Sequence, residues 1–279
     1  MISCSSNCRG CDPHAGPAVA LRVTAGRYDH TVALAGNPNT GKSTVFNRLT
    51  GLKQHTGNWP GKTVTRAEGG FAHRGKRFKL VDLPGTYSLL AGSDDEQVAR
   101  DYLLFSQPDC TVVVVDATSL ERNLNLVFQI TEITPRAVVC VNLVDEAKRK
   151  GIHVDVNRLS DQLGVPAVAT AARRGEGLDQ LASLISGVAT GEIAPEPRLH
   201  ETPAPLRDAV NRVLPMVRKL APGLPSARWV AYRLLEGDEQ IRSALATGEL
   251  ARIAEAFAPR PQAAPAPAPA PAIAGGGLP

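Results

Sequence analysis

The chain has 279 residues, 43% hydrophobic and 21% charged, a balance that excludes a wholly disordered or collagen-like protein. Its longest aliphatic run is Val112–Val115, far short of the ~18 apolar residues that a spanning helix needs. The net charge of +4 is spread along the chain, which argues against a nucleic-acid binder, whose Lys and Arg concentrate on one face. The short basic stretches at 74–79 and 148–150 read as solvated loop and helix end.

Residues 1–29 lack periodicity and read as a flexible tail. It carries Cys4, Cys8 and Cys11 as C-x3-C-x2-C. Three thiols at that spacing could hold a metal or an iron–sulfur cluster. A fourth ligand is missing and no periodic segment supports the tail, so spare thiols in a reducing compartment are the favoured reading. Cys110 and Cys140 sit beside apolar runs and read as small core residues.

From His30 the pattern changes. Thr31–Ala35 predicts a strand, followed by a Gly/Asn/Pro turn and a helix carrying Val45, Phe46 and Leu49. Residues 54–62 read as a polar loop. Thr63–Ala72 and Arg77–Val81 predict a hairpin turning at Gly75. Asp94–Phe105 predicts a helix with Ser93 as N-cap and Glu96 completing a capping box. Thr111–Val115, Ala137–Val141 and Val165–Ala169 predict buried strands. Helices are expected over Leu120–Thr131, Val156–Leu163 (ending at Gly164) and Leu178–Ser186. The alternation implies an α/β fold: a mostly parallel six-stranded sheet with helices on both faces, spanning 30–190.

Residues 191–205 read as a linker, because four Pro fall between Ile193 and Pro205. Apolar residues three and four apart then predict a small all-α domain over 206–257. Its first helix carries Val210 and Val217 and a kink at Pro215. A second carries Trp229 and Leu234, and a third Ile241, Leu245, Leu250, Ile253 and Phe257. Seven of the 22 Pro lie in the last 21 residues, so 258–279 read as an extended, disordered Ala/Pro/Gly tail rather than core.

The strongest motif is Gly36-Asn37-Pro38-Asn39-Thr40-Gly41-Lys42-Ser43, between a strand and a helix and followed by Thr44. It matches the P-loop pattern G-x-x-x-x-G-K-[ST]. The glycines let backbone N–H groups converge on phosphate oxygens. Lys42 supplies a point charge to the β- and γ-phosphates, and the Ser43 hydroxyl can bind Mg2+. The second motif is Asp82-Leu83-Pro84-Gly85, also after a strand. Asp82 there can hold the Mg2+ shell and Gly85 can offer an N–H to the γ-phosphate. The third is Asn142-Leu143-Val144-Asp145. Asp145 can accept from guanine's N1–H and exocyclic amine together, a donor pair adenine lacks; its bland alternative is a helix N-cap. The fourth, Thr170-Ala171-Ala172, is placed to give a backbone N–H to guanine O6. Four such elements in this order specify a guanine-nucleotide-binding G domain and a GTPase.

The loop Gly57-Asn58-Trp59-Pro60-Gly61-Lys62-Thr63-Val64 supplies one threonine to close over Mg2+ and the γ-phosphate. Thr63 is best placed, with Thr65 and Thr56 as alternatives. Trp59 is either a mobile switch residue or an anchor of this loop. The loop, the P-loop, Asp82–Leu89, Arg100–Leu103 and Asn142–Ala147 together resemble the cytosolic N-terminal part of the FeoB ferrous-iron transport proteins, over residues 30–245. The helical segment, with Ala227-Arg228-Trp229 and Leu234–Asp238, is similar to that family's helical domain.

That resemblance implies a GTP-hydrolysing module coupled to Fe2+ uptake at the cytoplasmic face of the bacterial inner membrane. Its expected partners are GTP and a membrane permease region, and a homo-oligomer is compatible with it. Asn39 matches the asparagine that holds K+ beside the phosphates in potassium-activated GTPases. Ala171 replaces the serine usual in the family's fifth motif, and the Ala172 N–H is expected to keep binding the base. Thr86 stands where other GTPases carry a water-orienting Gln, so hydrolysis is expected to be slow and to lack a side-chain base. The chain runs into an Ala-Pro tail where the family continues into transmembrane helices, so iron permeation by this chain alone is not expected. The competing readings are a ribosome-assembly or tRNA-modification GTPase and a Cys-based metal-sensing switch.

Overall fold

The computed structural model describes residues 28–51, 54–59, 64–90, 92–198, 203–224 and 226–252. Seven strands form one sheet: β1 (His30–Gly36), β2 (Gln54–Asn58), β3 (Thr65–His73), β4 (Lys76–Asp82), β5 (Cys110–Asp116), β6 (Ala137–Asn142) and β7 (Ala167–Ala169). Their spatial order is β2-β3-β4-β1-β5-β6-β7. The five strands from β4 to β7 run parallel, and β2 and β3 extend the sheet antiparallel.

The expected six strands become seven because Gln54–Asn58 is a strand and not a loop. It pairs with β3 from Gln54↔Gly69 to Asn58↔Thr65. It is a polar edge strand with Thr56, Gly57 and Asn58 exposed, so no apolar alternation marks it in the sequence. The β3–β4 hairpin is as expected. Arg74 (φ 48°) and Gly75 (φ 75°) take the two positive φ angles of a type I′ turn.

Helices cover both faces. On one lie α2 (Asp94–Ser106), α3 (Leu120–Ile133) and α5 (Val156–Leu163), packed through Leu103, Leu126, Ile130 and Leu159 onto Ala33, Val81, Val113 and Val139. On the other lie α1 (Lys42–Thr50) and α6 (Leu178–Thr190), packed through Phe46, Leu181 and Ile185 onto Leu34, Leu80, Val112 and Val138. The central strands therefore bury both faces, which explains their unbroken β-branched runs. Burial raises the Cys140 thiol to about 12, so it is an inert core residue, as is Cys110.

Ser93 caps α2 by accepting from the Glu96 N–H at 3.3 Å. The Glu96 carboxylate reaches back to the Gly92 N–H at 2.7 Å, a one-residue variant of the expected box. A further helix, α4 (Val144–Arg149), follows β6, in keeping with the reading of 148–150 as a helix end.

Residues 192–198 are not a free linker. Ile193 packs against α6 where Gly187 has no side chain, and its N–H donates to the Gly187 carbonyl. Glu196 and Arg198 bond back to Gly164 and Leu163. A Cβ on Gly164 would collide with the Glu196 carbonyl, so this glycine does more than end α5.

The helical domain comprises α7 (Ala204–Leu220), α8 (Ala227–Leu235) and α9 (Glu239–Ala246). Helix α7 continues through Pro215. Gly248 (φ 72°) separates α9 from a further helical segment at 249–252 carrying Leu250, so the expected third helix is divided; Ile253 and Phe257 lie outside the described residues. The core of this domain gathers Val210, Val217, Trp229, Val230 and Ile241 together with Leu104 and Phe105 of α2. Helix α2 thus belongs to both cores. Among the described residues no helix is long and apolar enough to cross a membrane.

Candidate functional site: a phosphate loop and its partners

Strand register sets the site. Gly36, Asp82 and Asn142 end the parallel strands β1, β4 and β6, with β5 between β1 and β6, at the sheet edge where open α/β folds bind ligands. Gly36 crosses β5 so closely that a Cβ would lie 2.6 Å from the Val114 carbonyl. Gly41 has φ 80° and abuts the Asn142 amide, so a side chain there is excluded twice. The Thr40 hydroxyl donates to the Asn37 carbonyl at 2.9 Å and closes the loop on itself. The N–H groups of residues 39–43 donate to no acceptor among the described residues. Together with the N-terminus of α1 they form a run of unpaired donors of the kind that suits an anion.

Lys42 Nζ donates to the Asp82 carboxylate and to the Leu83 carbonyl at 2.6 Å. Burial pushes the Asp82 carboxyl above its ordinary value, and the Lys42 ammonium opposes that. The Ser43 side chain is exposed and free of hydrogen bonds among the described residues. Asn39 is also exposed, with φ 65°. Asn37 is only 2% exposed and its amide has no hydrogen-bond partner, so of this residue only the backbone is shown to serve the loop.

Asn142 is the joint of the site. It is 1% exposed and uses both ends of its amide. Nδ2 donates to the Thr40 carbonyl at 2.9 Å. Oδ1 accepts from the Thr170 hydroxyl and from the Ala172 N–H, both at 3.1 Å. One side chain therefore ties the P-loop, its own loop and the 170–172 loop together. This departs from the sequence reading in one respect. The Ala172 N–H is committed to Asn142 and does not stand free for a base. The Ala171 N–H is likewise taken, by the Glu176 carbonyl at 3.2 Å. Leu143 takes a left-handed conformation (φ 63°) and starts α4, so Asp145 lies in the first turn of α4 and is not its N-cap. Its carboxylate is half-buried and unpaired among the described residues.

On the β4 side, the loop after Asp82 is sewn to β1. Leu83 N–H donates to the Leu34 carbonyl at 2.9 Å and Thr86 N–H to the Gly36 carbonyl at 3.3 Å. Gly85 faces Pro38 across the cleft, and its N–H has no partner among the described residues. The Thr86 hydroxyl donates to the Ser88 carbonyl at 2.5 Å and so offers no base.

Gly61, Lys62 and Thr63 lie outside the described residues, as do Cys4, Cys8 and Cys11. Val64 accepts from the Trp59 N–H at 2.9 Å. Thr56 and Thr65 lie exposed on β2 and β3. Trp59 is an anchor. It is 4% exposed, edge-on to Tyr102 of α2 (ring centroids 5.3 Å apart), with the Arg66 guanidinium 5.0 Å from its ring. The sequence reading gave Tyr102 no role, although it lies in the quoted Arg100–Leu103 stretch. It also missed Gln129 on α3, which no motif marks. Among the described residues no group of three or more His, Cys, Asp or Glu side chains could hold a metal.

A P-loop at the sheet's carboxyl edge, an aspartate and glycine on the neighbouring strand's loop, and an Asn-x-x-Asp loop bonded to the P-loop define a G domain of the GTPase type. Residues 30–185 match the family described as ferrous iron transport protein B, and residues 203–259 match the FeoB cytosolic helical domain. The chain belongs to the ferrous iron transport protein B family. It is 39% identical over 231 residues to the Fe(2+) transporter FeoB of Salmonella typhimurium, covering 80% of this chain but 28% of that transporter's length. Among solved structures, a mutant S. thermophilus NFeoB bound to GDP is 36% identical, with a TM-score of 0.68, covering 82% of this chain and 88% of that one. The cytosolic domain of the T. maritima FeoB iron transporter in a GDP form is 32% identical, with a TM-score of 0.71, covering 83% and 94%.

Proposed function

We propose that this chain binds GTP, hydrolyses it to GDP and phosphate, and acts as the nucleotide-dependent module of a ferrous-iron transporter. The observation that supports the nucleotide reading is the three-way joint at Asn142, which ties the P-loop to the loop that carries Asp145 and to the 170–172 loop. The P-loop takes the phosphates through the N–H groups of residues 39–43. Lys42 turns its charge between Asp82 and the β- and γ-phosphate oxygens. Asp145 accepts from the two donors on guanine's edge. The Ala172 N–H reaches guanine O6 only by leaving Asn142 Oδ1, so either the Thr170–Ala172 loop shifts on binding or O6 takes its bond elsewhere.

For hydrolysis, a water attacks the γ-phosphorus and the bond to the β–γ bridging oxygen breaks, with the electrons passing to GDP. Lys42 and the Gly85 N–H stabilise the oxygens that gain charge. No described side chain is placed as a base, so the proton leaves through the phosphate oxygens, and turnover is slow. The Ser43 hydroxyl, and the Asp82 carboxylate once Lys42 turns to the phosphates, are oxygen donors that suit a hard cation such as Mg2+, with Thr63 as the proposed third. When bound, Mg2+ neutralises phosphate charge. The exposed Asn39 carboxamide offers one oxygen to a K+ ion beside the phosphates, where it would do the work of an arginine finger.

The iron role rests on family membership, since the chain spans 28% of the transporter's length. A permease region is the proposed partner, and the cytoplasmic face of the membrane the proposed location. The test is GTP turnover in KCl against NaCl, for wild type and Asn39→Asp. Turnover in KCl that falls in NaCl or in the variant supports the reading. Equal rates in all arms remove the potassium claim, and no turnover in any arm removes hydrolysis.

A further inference from the structure

The loop after Gly85 is gripped at a point that no nucleotide motif explains. Gln129 lies on α3, two turns beyond Arg122 on the same face. Its Oε1 accepts from the Leu89 N–H at 2.7 Å and from the Ser88 hydroxyl at 3.4 Å. The Leu89 N–H can only donate, so the acceptor facing it must be the amide oxygen, and the side-chain orientation follows. Leu89 is 1% exposed, whereas Tyr87 and Leu90 on either side are exposed. The Arg122 guanidinium lies 4.5 Å from the Tyr87 ring centroid. Helix α3 thus holds the far end of the loop at two places. The near end is held by the Leu34 and Gly36 carbonyls. Gly85 sits between these anchors, facing Pro38, with its N–H unpaired among the described residues.

A donor aimed at a developing charge must be preorganised to be effective, and glycine supplies no stiffness of its own. Here the stiffness comes from the anchors on either side. On the reading that the Gly85 N–H serves the γ-phosphate, we infer that Gln129 is a positioning residue for GTP hydrolysis: by holding Ser88 and Leu89 it fixes the loop that aims this N–H. GDP has no γ-phosphate. Loss of the Gln129 acceptor should therefore slow the chemical step and leave GDP binding alone.

The test uses the full chain, measuring GTP turnover at saturation and the affinity for a fluorescent GDP for wild type, Gln129→Met and Gln129→Glu. Methionine fills the space without the acceptor, and glutamate restores an oxygen. The expected result is a loss of about tenfold or more in turnover for Q129M, GDP affinity within about twofold, and recovery to within about threefold in Q129E. Wild-type turnover in Q129M overturns the inference. So does a parallel loss of GDP affinity in Q129M, or a Q129E variant as slow as Q129M, since either marks a structural role. Absence of turnover in the wild type instead removes the hydrolysis reading on which the inference rests.

Discussion

The two sides of the nucleotide cleft are built differently. The base side is finished: Asn142, Thr40, Thr170 and Ala172 are buried, and the Asn142 amide bonds the Thr40 carbonyl, the Thr170 hydroxyl and the Ala172 N–H. The γ-phosphate side is conditional. Lys42 and Asp82 hold each other, the Gly85 N–H has no partner among the described residues, and the loop beyond is held by Thr86, Arg122 and Gln129 at a partly exposed surface. A rigid half suits recognition of a base that never changes. A half held by exchangeable contacts suits a group that is cleaved and lost.

The largest expected effect breaks the conditional side. Lys42→Ala removes the cation that pairs with Asp82 and strands that half-buried carboxylate. Turnover should fall by about a hundredfold or more, with nucleotide affinity falling too. A GTPase assay with a binding titration checks this. Asn142→Ala breaks the finished side instead. It leaves the Thr40 carbonyl and the Ala172 N–H without partners, and should cost about 2–4 kcal/mol of stability in denaturant unfolding. A loss confined to binding, with stability unchanged, would show that the joint is not structural.

Thr86→Val sharpens the contrast. It removes the bond to the Ser88 carbonyl, worth about 1 kcal/mol, yet should leave turnover within about threefold, because this hydroxyl carries no proton in the chemistry. A collapse comparable to Lys42→Ala would make Thr86 a catalytic group.

The smallest effect lies far from the cleft. His73 is 7% exposed and 3.1 Å from the Ser183 hydroxyl on α6. Burial lowers its pKa below the ordinary 6.5, helped by Arg74 and opposed by Asp179. The unfolded chain then takes up a proton first, so His73 costs stability as pH falls below 6.5 and through the folded value. Stability measured between pH 7 and pH 5 should fall less steeply in His73→Gln than in wild type.

Legibility followed the same division. The P-loop, Asp82–Gly85 and Asn142–Asp145 could be read from spacing, because backbone approach and strand ends demand those residues in sequence. The pairing of the Ala172 N–H with Asn142 could not, because it joins residues 30 apart through a side chain with several partners to choose from. Gln129 left no trace for a similar reason: its partners lie some 40 residues away, and the position reads as an ordinary polar place on an amphipathic helix. Strand β2 was missed because its edge position needs no apolar face. The segment 192–198 was read as a linker because its prolines hid that it packs against two glycines, Gly164 and Gly187.

The central claim is that the Asn142–Asp145 loop and the P-loop form a guanine-nucleotide site. Calorimetric titration with GDP, ADP and XDP, for wild type and Asp145→Asn, tests it most directly. The account predicts that wild type binds GDP about a hundredfold or more tighter than ADP or XDP. Asp145→Asn should lose GDP and gain XDP, because its amide can donate to the xanthine C2 carbonyl where guanine presents an amine. Equal affinity of the wild type for GDP and ADP, or GDP binding unaltered in Asp145→Asn, would contradict it.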